Sequence, residues 1–496
     1  MLPAAFALIV WGTLAFGAVY DWAYTPLATG AALVGLGALL QAVRRGRLHA
    51  SDGLLLSMLA LIALGALLQV VPLPRSVRLA VSPATEVYFR EHDPVYRLAY
   101  EARRSSAAVL GLLAPAGLPP RPLSLNTGAT LRAVGLLIAF ALLLAGLIRT
   151  FHRTGIRRFA RWLIAFGVLV ALIGIVQKAV LGDHAFGGMK IYGFWEPTYK
   201  LTTPFGPFVN KNHFAGWMLL VLPLALGYFA GLAEDGIRRG AGWRERLLWL
   251  SSEGGGQAQL LAIAIAVMTL SLLMTLSRSG VAGLAVAVAI TTLTAAGTLA
   301  SVRARLGLVA SLVLLMAIVV QWSSVNLSAR FDSVPEAVAL RVHAWRDAAS
   351  IIRDFPLTGT GLNTYGAATL KYQTGDRTLH FREAHNDYLQ VAAEGGLLLG
   401  LPAAVALFAF ARLVWRRFRA AEDDRLTYWV RVGAVTGLVA IAVQSFVEFS
   451  LQMPGIACLA VTLAAMAAHP ARPAHRQVTP TMSRMPRPPL AGYRSF

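Results

Sequence analysis

The sequence is poor in cysteine and in charged residues. Among its 496 residues there is one cysteine, and only 14% are charged whereas 56% are hydrophobic. Cys458 lies inside an apolar stretch, so an internal disulfide and a thiolate metal cluster are both excluded. A chain of this length with so few charges is too apolar for a soluble protein. The composition indicates an integral membrane protein.

Acidic residues are also scarce beside basic ones. The chain has 24 Asp and Glu against 45 Lys and Arg, which gives a formal net charge of +21. Such an excess could indicate binding to nucleic acid, but the basic residues lie mainly in short runs between apolar segments. This distribution is typical of a membrane protein that sets its orientation with charged loops. It argues against a nucleic-acid partner.

Long apolar runs are abundant, and a membrane-spanning helix needs roughly 20 mostly apolar residues. We predict an all-α integral membrane protein with about twelve transmembrane helices. The first apolar run has no basic residue before it, so we expect a retained helix rather than a cleaved signal peptide. The predicted spans lie near 4–20, 26–43, 53–71, 129–148, 160–181, 212–231, 259–276, 280–300, 305–324, 389–411, 430–447 and 453–469.

The connections between these spans alternate in charge. The short connections of one side hold only Lys190, Lys200, Lys211 and Arg278. By the positive-inside rule the opposite side is cytoplasmic, and so are both termini. The arginine-rich connections of that side fall within 44–47, 149–161, 238–246, 303–305 and 412–431.

Two long connections, 72–128 and 325–387, fall on the outer side, and loops of this length are usually functional. The second is expected to be partly helical, with Ser333 as the cap and an end before Pro356. A turn at Gly359-Thr360-Gly361 would follow. The resulting organisation is spans one to three in 1–71, an outer loop at 72–128, spans four to nine in 129–324, an outer loop at 325–387, spans ten to twelve in 388–469 and a disordered cytoplasmic tail at 470–496.

Four segments bring unusual residues to the outer boundary. Their cations would together suit phosphate groups, because the planar fork of arginine binds phosphate oxygens bidentately. Arg278 taken alone could instead extend to lipid headgroups. The candidate residues are Lys200, Lys211 and Asn212 before the sixth span, Arg278 between spans seven and eight, Arg341 and Trp345 on the outer helix, and His385 before span ten.

His385 is the candidate proton acceptor of the group, because the pKa of an ordinary imidazole is near neutrality. It could alternatively be a capping residue at the start of span ten. Asp387 is interpreted as a helix-start residue. Glu394 and Glu448 lie near or within spans, where partners are expected, and their role is left open between structure and substrate orientation.

At these residues the chain resembles the O-antigen ligase and polymerase superfamily. The resemblance covers roughly residues 200–460, with its blocks in the right order and on the right spans, and each block alone is weak. The blocks are Asn210-Lys-Asn-His-Phe-Ala215, Leu276-Ser-Arg-Ser-Gly280, Arg341 with Trp345, Pro356-Leu-Thr-Gly-Thr-Gly361, His385-Asn-Asp-Tyr-Leu-Gln390 and Glu394-Gly-Gly-Leu397.

The resemblance implies a metal-independent, inverting glycosyltransferase of the bacterial inner membrane with a periplasmic site and no cofactor. Such enzymes transfer a glycan from undecaprenyl pyrophosphate to a hydroxyl of another glycan, of lipid A–core or of a protein. By position, Arg278 and Lys200 would bind the pyrophosphate, Arg341 would face the same substrate, and His385 would activate the acceptor. The family usually has arginine where this chain has Lys200, so Lys211 could share that role.

Three alternatives stay open at this point. A metal-dependent lipid-linked glycosyltransferase would use an acid in the first outer connection, where Asp21 lies, although Asp21 with Trp22 could simply mark the interface. A transporter of polysaccharide or lipid-linked sugar would suit twelve spans, but transporters tend to have related halves and sites at the midplane. Between ligase and polymerase, the long first outer loop slightly favours an exopolysaccharide-type polymerase.

Overall fold

The computed structural model describes residues 1–45, 52–104, 118–181, 190–198, 203–236, 243–298, 334–420 and 424–470. Within these ranges the chain forms α-helices and two short 3₁₀ turns, Phe16–Ala18 and Ser450–Gln452, and no β-strand. The helices are α1 Leu2–Leu14, α2 Asp21–Arg44, α3 Gly53–Val70, α4 Arg75–Val81, α5 Pro83–His92, α6 Pro94–Arg104, α7 Thr127–Thr150, α8 Arg153–Leu181, α9 Lys211–Gly236, α10 Trp243–Leu250, α11 Glu253–Met274, α12 Arg278–Thr298, α13 Val334–Asp354, α14 Tyr365–Tyr372, α15 Asp387–Arg419, α16 Arg425–Gln444 and α17 Pro454–Ala468.

Nine of the described helices are long and apolar enough to cross a membrane: α2, α3, α7, α8, α9, α11, α12, α15 and α16. Helices α1 and α17 are shorter but also apolar. These eleven coincide with stretches that the sequence predicts to span, while the stretch near 305–324 lies outside the described residues. The all-α membrane fold is therefore confirmed, and the total of twelve spans stays a prediction.

Helix direction brings the start of several helices to one end of the bundle. Helix α9 packs along α16, and α12 packs against both of them. Because α16 runs opposite to α9 and α12, its end at Gln444 lies beside their starts. The backbone N–H of Asp387 donates to the carbonyl of Ser445 at 3.0 Å, so α15 begins at the same end. We call this the site end.

The second long connection contains the predicted helix. Helix α13 ends at Asp354, before Pro356, and the turn that follows has Gly359 and Gly361 at φ +64° and +103°. The proposed cap Ser333 lies outside the described residues. The prediction of a helix followed by a glycine turn is thus confirmed at its C-terminal end.

The first long connection is also helical, which the sequence did not predict. Helices α4, α5 and α6 enclose a buried network in which Arg78 donates to Glu86 at 2.8 Å and to the Tyr96 hydroxyl at 2.6 Å. The Tyr96 hydroxyl donates in turn to Glu86 at 2.7 Å, and burial together with this bond raises the pKa of Tyr96 to about 12. A mostly polar segment therefore folds around one internal charge network.

The two connections pack on each other through the glycine turn. Thr360 and Gly361 donate their N–H groups to the carbonyls of Ala393 and Glu394, each at 3.0 Å, and Thr360 accepts from Leu125 at 2.9 Å. The Glu394 carboxylate accepts from the N–H of Asn363 at 2.7 Å. Glu394 is therefore a structural anchor between the turn and α15.

We predict that Gly359→Ala destabilises the protein. An added Cβ would lie 2.2 Å from the backbone of Glu394, at a φ of +64° that L-residues rarely adopt. The matched control is Gly400→Ala in α15, where a Cβ meets nothing within 4 Å and alanine has the better helix propensity by about 1 kcal/mol. Thermal unfolding in detergent should show a loss of several degrees for Gly359→Ala only. Equal stability of the two variants would contradict the close packing of the turn.

Candidate active site

Glu448 lies at the centre of the candidate site, in the turn after α16, with a side chain only 1% exposed. Its Oε1 atom accepts a hydrogen bond from Arg341 Nη2 on α13 and another from Asn212 Nδ2 on α9, the latter at 2.7 Å. A buried carboxylate is costly unless it is paired and hydrogen-bonded. Glu448 thus holds α9 and α13 together.

His385 lies on the other side of the same carboxylate. Its Nδ1 atom is 4.0 Å from Glu448 Oε2, and neither atom has a hydrogen bond within the described residues. A distance of 4.0 Å exceeds a hydrogen bond, but catalytic hydrogen bonds are often long in a site without substrate. The pair is arranged so that a small rotation of the imidazole would let Glu448 orient it.

The backbone and the ring of His385 are each held in place. Its φ of +49° lies in the left-handed region, which is unusual for a residue other than glycine. Trp345 donates its indole N–H to the His385 carbonyl at 3.4 Å, and the Phe449 ring meets the imidazole edge-on at 4.8 Å. The side chain is still 26% exposed, so an acceptor hydroxyl can approach it.

Gln444 joins two further segments to the site. Its amide nitrogen donates to the Asn212 carbonyl at 3.1 Å and lies 3.5 Å from the hydroxyl of Ser279. Ser279 is the neighbour of Arg278, the first residue of α12. Three of the four predicted segments thus meet at Glu448, and the Arg278 segment joins them through Gln444.

Arg278 is exposed at the start of α12. The described part of the chain gives it neither a hydrogen bond nor an ion pair, whereas Arg341 is paired with Glu448. An arginine with all its donors available can bind an anion bidentately without first breaking a protein contact. This side chain is the best placed for a phosphate.

The electrostatics of the site end favour negative charge. Lys211 is the first residue of α9, Arg278 the first of α12, and α15 and α17 begin at the same end. The N-terminus of a helix carries partial positive charge and exposes N–H groups that bind anions. Helix starts and cationic side chains therefore both favour the binding of an anion at the site end.

The structure brings together most of the residues predicted for the site. Asn212, Arg341, Trp345 and His385 surround Glu448, directly or through one contact, and Arg278 and Lys211 lie at adjoining helix starts. Lys200 lies outside the described residues. Asn212 and Trp345 are held by protein contacts here, so their predicted part in substrate binding stays a prediction.

Two residues, Glu448 and His213, contribute more contacts to the candidate site than the sequence indicates. The sequence alone leaves the role of Glu448 open between structure and substrate orientation, whereas in the structure Glu448 lies between Arg341 and His385. His213 is buried, packs edge-on against Phe449 at 4.8 Å and has Nε2 without a partner in the described residues. For Glu448 the signal in the sequence is an acid at the end of an apolar span, where a partner is required.

Residues 263–403 match the family model of the O-antigen ligases. The match covers less than a third of the chain, and over these residues the chain is similar to the O-antigen ligases. The match includes Arg278, Arg341 and His385, and it confirms the resemblance to the O-antigen ligase and polymerase superfamily. No curated protein matches the chain. Asn212 and Glu448 lie outside the matched residues, so part of the candidate site comes from helices that flank the match. The family implies a glycosyltransferase-type activity on lipid-linked glycans.

We predict strong energetic coupling between Arg341 and Glu448. Removing Arg341 leaves the buried Glu448 carboxylate without its counter-charge. The losses of unfolding free energy caused by Arg341→Gln and Glu448→Gln should therefore be less than additive by about 1–3 kcal/mol. The measurement is a double-mutant cycle on unfolding by SDS in mixed micelles. The exposed pair Arg97–Glu101 at 4.0 Å is the matched control, with an expected coupling within about 0.5 kcal/mol. Additive effects at Arg341 and Glu448 would contradict the pairing.

Proposed function

We propose that the chain is a glycosyltransferase that transfers a glycan from undecaprenyl pyrophosphate to a sugar hydroxyl at the periplasmic face. The observation that carries the proposal is the arrangement around Glu448, with Arg341 and Asn212 on Oε1 and His385 beside Oε2. In it a candidate base lies at the same end of the helices as the exposed Arg278 and several helix starts. This combination suits a reaction in which a pyrophosphate leaves.

The donor would bind with its pyrophosphate at the start of α12. The bond between the anomeric carbon and the pyrophosphate oxygen breaks with its electron pair moving to that oxygen. Arg278, helped by Lys211 and by Lys200, would neutralise the charge that develops there. Preorganised cations of this kind stabilise a leaving group in the transition state, so the reaction is proposed to need no metal ion.

The acceptor hydroxyl would approach the exposed part of His385. The imidazole takes the hydroxyl proton as the acceptor oxygen forms its bond to the anomeric carbon. Glu448 would hold the ring through Nδ1 and stabilise the imidazolium. Attack from the face opposite to the leaving pyrophosphate inverts the anomeric configuration.

The identity of the acceptor separates two versions of the proposal. A second lipid-linked glycan makes the chain a polymerase, which the long first connection slightly favours, whereas lipid A–core makes it a ligase. Transport of a polysaccharide or lipid-linked sugar is the weaker alternative. The candidate residues gather at one end of the helices rather than near their middle, where a transporter would bind its substrate.

We expect Arg278→Ala and His385→Ala each to lower glycan transfer by at least about 100-fold, because each removes one group that acts in the transition state. Arg278→Lys should recover only part of the rate, since lysine keeps the charge but lacks the planar fork. The control is Arg346→Ala, an exposed arginine on α13. The rate is measured with purified protein in proteoliposomes. Wild-type rates in both alanine variants would refute the site.

A reconstituted reaction in EDTA should identify the acceptor. Purified protein is incubated with an undecaprenyl-pyrophosphate-linked repeat unit as sole substrate, and the products are separated by size. A ladder of longer lipid-linked glycans is the result expected for a metal-independent polymerase. Transfer that starts only when lipid A–core is added would make the chain a ligase, and activity restored only by a divalent cation would overturn the metal-independent mechanism.

A further inference from the structure

A cluster of aromatic rings lies beside the candidate site and has no part in the proposed chemistry. It consists of Phe16, Tyr20, Trp22, Tyr192, Phe194 and Trp195 and is called the aromatic cluster below. Phe16 stacks on Trp195 at 4.8 Å, and Trp22 contacts both Phe16 and Trp195 at about 6 Å. Trp22 and Phe194 remain 48% and 71% exposed. Part of the cluster therefore presents ring surface, while Phe16 is buried.

Two polar ends of these rings form hydrogen bonds within the protein. Trp195 donates its indole N–H to the Tyr20 hydroxyl at 3.3 Å, and Tyr192 donates its hydroxyl to the Leu14 carbonyl at 2.7 Å. Aromatic residues of a membrane belt instead keep the polar end at the level of the headgroups. The polar groups of these two rings are already satisfied within the protein.

The backbone of the aromatic cluster is strained. Phe16, Ala18 and Tyr192 have φ of +61°, +56° and +57°. The other non-glycine residues with positive φ in the described part of the chain are Leu276 and His385 at the candidate site and Asn363 in the turn next to α15. Such strain costs about 1–3 kcal/mol per residue and collects at ligand-binding and catalytic positions. Its concentration here points to a ligand.

The aromatic cluster is connected to the candidate site. Phe16 and Ile191 form a buried cluster with Val209, and Val209 lies two residues before Lys211 at the start of α9. The ring of Phe208 lies 3.3 Å from the position that a Cβ on Gly17 would take. A ligand on the aromatic cluster would therefore extend toward the residues around Glu448.

We propose that the aromatic cluster binds a sugar ring of the transferred glycan. One face of a pyranose is lined by C–H bonds, and the negative face of an aromatic ring attracts their positively polarised hydrogens. Lys190 and Glu196 are exposed on the same segment as Phe194 and can hydrogen-bond sugar hydroxyls. The inference rests on the proposed function, because it assigns the glycan portion of that substrate.

The test uses the full-length protein in detergent and the oligosaccharide that mild acid releases from the lipid-linked glycans of the host strain. Aromatic protons of the protein are saturated, and the transfer of saturation to sugar ring protons is measured by NMR during a titration. Phe194→Ala and Trp195→Ala should weaken binding about tenfold, whereas Trp195→Tyr should retain most of it. The matched control is Phe408→Ala in α15, whose side chain is 62% exposed.

Arg278→Ala separates this inference from the proposed function. That variant should still transfer saturation to the sugar although it loses glycan transfer, because sugar binding does not require the pyrophosphate contact. Binding that is unchanged in both Phe194→Ala and Trp195→Ala would overturn the inference. So would absent binding in the wild type together with quenching of tryptophan fluorescence by brominated phospholipids, which would assign the rings to a lipid belt.

Discussion

The structure of the site end depends on the burial of one carboxylate. Glu448 is almost completely enclosed, and an ionised carboxylate without partners would cost several kcal/mol in such a place. Arg341 and Asn212 must therefore approach it from α13 and α9. The same requirement brings the imidazole of His385 to the other carboxylate oxygen. One electrostatic constraint thus joins α9, α13 and the segment of His385, while the Arg278 segment is joined to them through Gln444.

A second buried carboxylate organises the connection that carries α13. Glu394 accepts N–H groups from Asn363 and Tyr365, while its carbonyl accepts from Gly361. These contacts fix the turn that ends α13 and so set the position of Arg341. The two acids have different partners. Within the described residues the Glu394 carboxylate accepts hydrogen bonds from neutral donors, whereas Glu448 binds the cation of Arg341 and lies beside His385. Of these two acids, Glu448 is the one that lies beside the candidate histidine.

The sequence predicted the helices well because an apolar run of span length is stable mainly as a helix within a membrane. It also predicted α13 and the glycine turn from capping, proline and glycine residues. It predicted the segments that form the site from charges at a boundary where charge is unfavourable. It did not predict the partners of Glu448, because a contact between residues 212 and 448 depends on how helices pack. The helices of the first connection were missed because their stability comes from the buried network of Arg78, Glu86 and Tyr96.

The rate of glycan transfer by Glu448→Gln tests the central claim most directly. The amide has the shape of the carboxylate but turns a hydrogen-bond donor toward His385 Nδ1, which would favour the wrong tautomer and remove the charge that stabilises the imidazolium. At saturating lipid-linked donor we predict a rate lower by about 10²–10⁴-fold, with the protein still inserted and folded. A rate equal to that of the wild type would show that Glu448 does not orient the catalytic histidine.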